Sequence, residues 1–136
     1  LTPSPATRVS AQITYQRFFP RYLRLGGMSG TLADLALRLV QDPRDLDVVR
    51  AHAAHEAWFV RASAIRVLGR IGDATDRRLL TGMLSDPHWW VRYRAARALL
   101  DLPGTRLEDL EKIRGTLEDR FAADILGQAI AEARAS

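Results

Sequence analysis

Arginine and aromatic residues recur together in this sequence at a fixed interval. Trp58-Phe59-Val60-Arg61 returns 31 residues later as Trp89-Trp90-Val91-Arg92, and the match continues through Ala64/Ala95, Arg66/Arg97 and Leu68/Leu99. Guanidinium groups pair in a forked geometry with carboxylate or phosphate. The aromatic row Trp58, Phe59, Trp89, Trp90 and Phe121 can hold an apolar or cationic group, or take the side chains of a peptide. Trp90 and Phe59, just before the buried valine, are expected to be exposed, and Trp58 and Trp89 to pack. The chemistry on offer is recognition, and its candidate carriers are Arg66, Arg70, Trp90, Tyr93, Arg94 and Arg97. Arginine supplies 19 of the 20 basic residues, Lys112 being the only lysine, and the net charge is +4. An acidic partner fits that balance better than a basic one.

Residues for reaction chemistry are sparse. The chain has no cysteine, so thiolate chemistry and disulfides are excluded. His52 and His55 lie three residues apart with Glu56 adjacent, and His88 stands alone. Without a third distant ligand this spacing reads as a surface pair rather than a metal motif. No catalytic residue, metal or cofactor is expected.

The elements that position the candidates follow from apolar periodicity. Residues 1–5 carry two prolines and read as a linker. A helical pattern runs from Ala6 to Leu25, kinked by Pro20 and stopped by Gly26-Gly27, and a shorter helix follows from Thr31, a candidate N-cap. Residues 6–44 are assigned to N-terminal capping helices. Arg8, Arg17, Arg21 and Arg24 alternate there with Phe18, Phe19, Tyr22 and Leu23, a pattern that suits covering a first repeat or lying on an anionic membrane surface.

From Asp45 the plan repeats as a short helix, a turn and a longer helix. Val60, Ala64, Val67 and Leu68 mark the apolar face of the first long helix. The units run over about 45–72, 73–104 and 105–134, and the third is degenerate: Phe121 falls under Trp90, but Ala122-Ala123 replaces Val-Arg. A fixed period of this length means stacked supersecondary units within one domain, residues 45–136 forming the array. No run reaches the roughly 18 apolar residues that a membrane span requires. The chain begins at Leu1 without methionine, so it reads as a fragment of a larger protein, cytoplasmic or membrane-associated in its fuller form.

These residues carry a family resemblance. Asp86-Pro87, the following Val91-Arg92, the small Ala95-Ala96 and Leu99 resemble a short bacterial HEAT repeat of the PBS-lyase-like kind. Val60-Arg61 through Leu68-Gly69 is similar, although His55-Glu56 replaces Asp-Pro in that copy. The resemblance covers about 45–102 well and 105–134 loosely, and leaves 1–44 unmatched. It implies an all-α, right-handed α-solenoid of antiparallel helical hairpins, about three repeats plus the N-terminal helices. It also implies that Arg61 and Arg92 tie adjacent turns, with Val60, Asp86 and Val91 completing the structural signature, and that the second helices line a concave face.

The expected function is a non-enzymatic protein-interaction or scaffold module presenting a basic, aromatic concave face. The alternative is a nucleic-acid-binding module using the same arginines on phosphates. A third reading sets Trp90, Asp86 and Arg92 beside HEAT-like proteins resembling alkylpurine DNA glycosylases. This chain is about half that length, and Asp86 is already accounted for as a turn residue.

Overall fold

The computed structural model describes residues 29–136. The reading of a kinked basic helix over Ala6 to Leu25 lies outside the described residues. Seven α-helices are described and no strand: α1 (Gly30–Arg38), α2 (Leu46–His52), α3 (Trp58–Ile71), α4 (Arg77–Met83), α5 (Trp89–Asp101), α6 (Leu107–Thr116) and α7 (Arg120–Ala135). Short 3-10 turns, Pro43–Asp45 and Ala74–Asp76, lead into α2 and α4. The result is a HEAT-type helical-repeat solenoid.

Two layers form because each unit has one short and one long helix. The long helices α1, α3, α5 and α7 pack each on the next, and α2, α4 and α6 pack on α3, α5 and α7 respectively. The seam between long helices is written in three rows at the 31-residue period. Ala33, Ala64, Ala95 and Leu126 form one, Ala36, Val67, Ala98 and Ala129 the second, and Leu37, Leu68, Leu99 and Ile130 the third, all buried. Small residues in two rows let the helices approach, while each leucine in the third contributes roughly 1.5–3 kcal/mol of burial.

These rows begin in α1. It therefore occupies the place of a second helix one period ahead of α3, and covers the face that α3 turns toward the N-terminus. Ser29, not Thr31, caps it, its hydroxyl accepting from Leu32 N–H at 3.3 Å. Thr31 is already helical. The short helices carry the period less far: Val49 and Leu80 correspond, as do Ala53 and Leu84, but Glu111 and Gly115 take the next places.

Candidate functional site

The side chains that fix one unit to the next are arginines and aspartates. Arg61 Nε and Nη2 donate to the two carboxylate oxygens of Asp86 at 2.8 and 2.9 Å. Its Nη1 donates to the carbonyls of His55 and Glu56 at 2.9 and 3.0 Å. Asp86 in turn accepts from His88 N–H at 2.9 Å, shaping the turn into α5. A second bridge joins the same two units, with Arg50 donating to Asp76 at 2.6 and 2.9 Å. Both pairings are forked, the geometry that favours arginine over lysine.

The copies of this ladder are unequal, and the sequence explains how. His55 stands where Asp86 stands one unit later, and its Nδ1 accepts from Ala57 N–H at 3.0 Å, as Asp86 accepts from His88. Imidazole thus reproduces the local turn bond without supplying a carboxylate, and Gly30 occupies the slot of Arg61. One unit further on, Arg92 keeps the carbonyl contact, donating to Asp86 O at 3.0 Å, but Leu117 replaces the aspartate. The carboxylate of Asp119, which caps α7 by accepting from Phe121 and Ala122 N–H at 2.9 and 3.2 Å, feels the Arg92 charge.

The Ser85 side chain, then the Ala122 and Phe121 amides, and last the charge of Arg92 hold Asp119 below the usual carboxylate range. A depressed folded-state pKa means that the stabilisation is complete above the ordinary carboxylate range. It is lost as pH falls through the folded value. A carboxyl-carbon NMR titration should give Asp119 a midpoint below the ordinary ~3.9, and Ser85→Ala should raise it. A midpoint at or above the ordinary value would contradict the assigned contacts.

The aromatic row divides opposite to expectation. The residue just before the buried valine was expected to face solvent, but Phe59 and Trp90 pack against the core while Trp58 and Trp89 are 41% and 62% exposed. The register is the reason. Phe59 is directed at the preceding unit, its ring 3.0 Å from where a Cβ on Gly30 would stand, whereas Trp58 and Trp89 open their helices at the turns. Trp58 stacks on His88 of the next turn with centroids 4.1 Å apart and planes within 4°. Trp90 stacks on Tyr93 at 5.4 Å and carries the Arg94 guanidinium 5.1 Å above its ring.

Two grooves hold most of the candidates. The first, about 190 Å³, is walled by Arg38, Arg66 and Arg94 with Phe59 and Trp90. An adjoining hollow of about 240 Å³ shares Arg38 and Arg66 and reaches Arg70. Within them Arg38 pairs with Asp34 at 3.3 Å, and the Ser63 hydroxyl donates to the same Asp34. Arg70 donates to the carbonyl of Val40 at 2.7 Å, which commits it to holding the end of α1. Arg66 is exposed and has no ion pair among the described residues.

Tyr93 lies in the second groove, of about 330 Å³ between α5 and α7, with Trp89, Phe121 and Asp124. Arg97 lines neither and lies 3.8 Å from Glu132. Sequence reasoning passed over Arg38 and Asp124 as recognition residues; it placed Trp89 and Phe121 in the aromatic row but expected Trp89 to pack rather than stand open. It also passed over the Arg50–Asp76 bridge, although Asp42/Asp45 and Asp73/Asp76 recur at the same 31-residue period.

Among the described residues no group of three or more His, Asp or Glu side chains could hold a metal ion, and no helix is long and apolar enough to cross a membrane.

The repeat architecture, with its inter-unit arginine bridges, defines a helical-repeat protein of the kind that generally binds other proteins. The HEAT-repeat family model matches residues 31–100 and 47–133, and the chain belongs to that family. The match takes in α1, beyond the stretch over which the motif is legible by eye. Residues 1–39 match the model of the SecA DEAD-like domain. A 25-residue stretch is 72% identical to protein translocase subunit SecA 2 of Nitrosospira multiformis, covering 18% of this chain and 4% of that protein. The chain therefore represents only a small part of that relative's length.

Proposed function

We propose that this chain is a non-catalytic protein-interaction module whose long-helix face grips an extended acidic segment of a partner. The observation that carries the reading is the convergence of Arg38, Arg66 and Arg94 on one groove, with Trp90 as its apolar floor. Arg66 has no internal anion, and Arg94 is held over an aromatic ring instead of a carboxylate. Guanidinium groups in that state gain more from an incoming carboxylate than groups already paired. Trp90 and Phe59 give an adjacent apolar side chain a surface to cover. Arg70 and Arg97 play supporting parts, since each already has an internal contact. The likeness of residues 1–39 to SecA covers too little of either protein to bring that protein's role to this one.

Asp34 within the groove, and Asp124 and Glu132 beyond α5, break the basic surface. A phosphate backbone, charged at every step, fits that alternation less well than a peptide does. Fluorescence anisotropy with a short labelled Glu/Asp-rich peptide containing leucine tests the proposal. Arg66→Glu with Arg94→Glu should weaken binding about 10-fold or more, the effect of losing roughly 1.4 kcal/mol, while Arg78→Glu on α4 should change it little. Unchanged binding in the double variant would defeat the reading. Tight retention of unrelated DNA at ~50 mM salt that collapses by ~200 mM would instead favour nucleic acid.

A further inference from the structure

The groove between α5 and α7 differs in chemistry from the basic groove. Its floor is Ala96 and Ala129, both buried, small enough to leave a depression between the helices. Trp89 and Tyr93 form one wall, and Phe121 stands on the other. Phe121 is 78% and Trp89 62% exposed, so these rings leave large apolar faces in water. A typical aromatic side chain buries ~150–250 Å² when covered.

Two carboxylates, Asp124 and Glu132, and one guanidinium, Arg92, line this groove. Arg92 donates to the Asp86 carbonyl and lies in the field of Asp119, and Arg97 faces Glu132 at 3.8 Å. Asp124, exposed on α7 beside Phe121, has no ion-pair partner among the described residues. Aromatic faces attract cations through the ring quadrupole, and a nearby carboxylate adds to that attraction. A volume of about 330 Å³ is at the small end for a ligand pocket and suits one long side chain.

We infer that the α5/α7 groove binds the side chain of a lysine or arginine from the partner segment, its stem along Ala96 and Ala129 and its cation among Trp89, Phe121 and Asp124. The inference deepens the proposed function, and rests on it only for the claim that the cation belongs to a bound protein. It gives the partner a polarity: acidic residues lie across α1 and α3, and a basic residue follows over α7. Direction along the face is then fixed by charge rather than by shape.

The test needs no partner. Tetramethylammonium and a neutral analogue of similar shape, 2,2-dimethylpropanol, are titrated separately into the labelled 136-residue chain, at matched ionic strength. The Trp89 indole N–H resonance is followed by NMR. The cation should bind about 2- to 5-fold more tightly than the neutral probe, as expected of an exposed cation–π site. Asp124→Asn should bring the two affinities together, and Phe121→Ala should weaken both probes. Both residues are exposed, and far-UV circular dichroism verifies that the variants stay folded.

Equal or weaker binding of the cation in the natural chain overturns the inference, as does a preference that survives both substitutions. Absence of a cation preference in the natural chain, with acidic-peptide binding intact, removes this inference alone. The opposite result removes the proposed function and leaves the cation groove standing.

Discussion

Asp86→Ala is expected to lower the stability of the described array by about 3–5 kcal/mol, the cost of stripping one partner from a buried ion pair. The side chains of Arg61 and Asp86 are only 15% and 4% exposed, so solvent cannot take over the role of the missing group. Two further losses add to the first. The N–H of His88 loses the acceptor that shapes the entry to α5. The Arg61 charge stays in place because the carbonyls of His55 and Glu56 hold its Nη1.

Asp86→Asn should cost less than the alanine change, since an amide oxygen can still accept from His88. Arg61→Met combined with Asp86→Leu should recover much of the loss, because replacing a buried pair by apolar groups of similar volume is often neutral. Urea unfolding reads all three. A whole domain has only ~5–15 kcal/mol to lose, so the alanine variant should shift the midpoint conspicuously. A loss below ~1 kcal/mol would mean that the pair is not structural.

That prediction concerns the residues most legible from sequence, and it shows why others were not. The Val-Arg phrase repeats in α3 and α5, so the 31-residue period exposes Val60, Val91 and the buried pairs Ala64/Ala95 and Leu68/Leu99 directly. Exposure of the tryptophans was not legible in the same way. Position 58 and position 59 are one step apart on a helix, and which of them is covered depends on the neighbouring unit, here on Gly30 of α1.

Arg38 escaped notice for a related reason. It lies in α1, where no Val-Arg phrase marks the repeat, and only the rows through Ala33, Ala36 and Leu37 reveal the shared register. The second groove depends on two helices brought together by packing. Its aromatics come from different registers of the repeat, Trp89 from one and Phe121 from the other. The Arg50–Asp76 bridge, by contrast, left a sign in the recurring Asp-x-x-Asp. A buried acid repeated at one interval calls for a basic partner from the unit before it.

A close approach of α3 to α5 at Gly69 sets the other large effect. A Cβ on Gly69 would stand 2.8 Å from both Cα and Cβ of Ala98 and 3.1 Å from its carbonyl oxygen. These are largely backbone atoms of α5, so no rotamer change can relieve the overlap, and α3 and α5 must separate along their whole seam. Glycine inside a helix ordinarily costs ~1 kcal/mol relative to alanine. Gly69→Ala would therefore stabilise α3 if the site were open.

The crossing reverses that sign. Gly69→Ala should destabilise by about 1–3 kcal/mol, and Gly69→Val, with two more methyl groups at the contact, by at least about 3 kcal/mol. Ala98→Gly removes the Cβ that the new side chain meets. Added to Gly69→Ala, it should cost less than its own helix penalty predicts, giving a favourable coupling in the double-mutant cycle. Denaturant unfolding of the four species measures this coupling. Additive behaviour, or a Gly69→Ala variant more stable than the natural chain, would show that Gly69 does not set the distance between these helices.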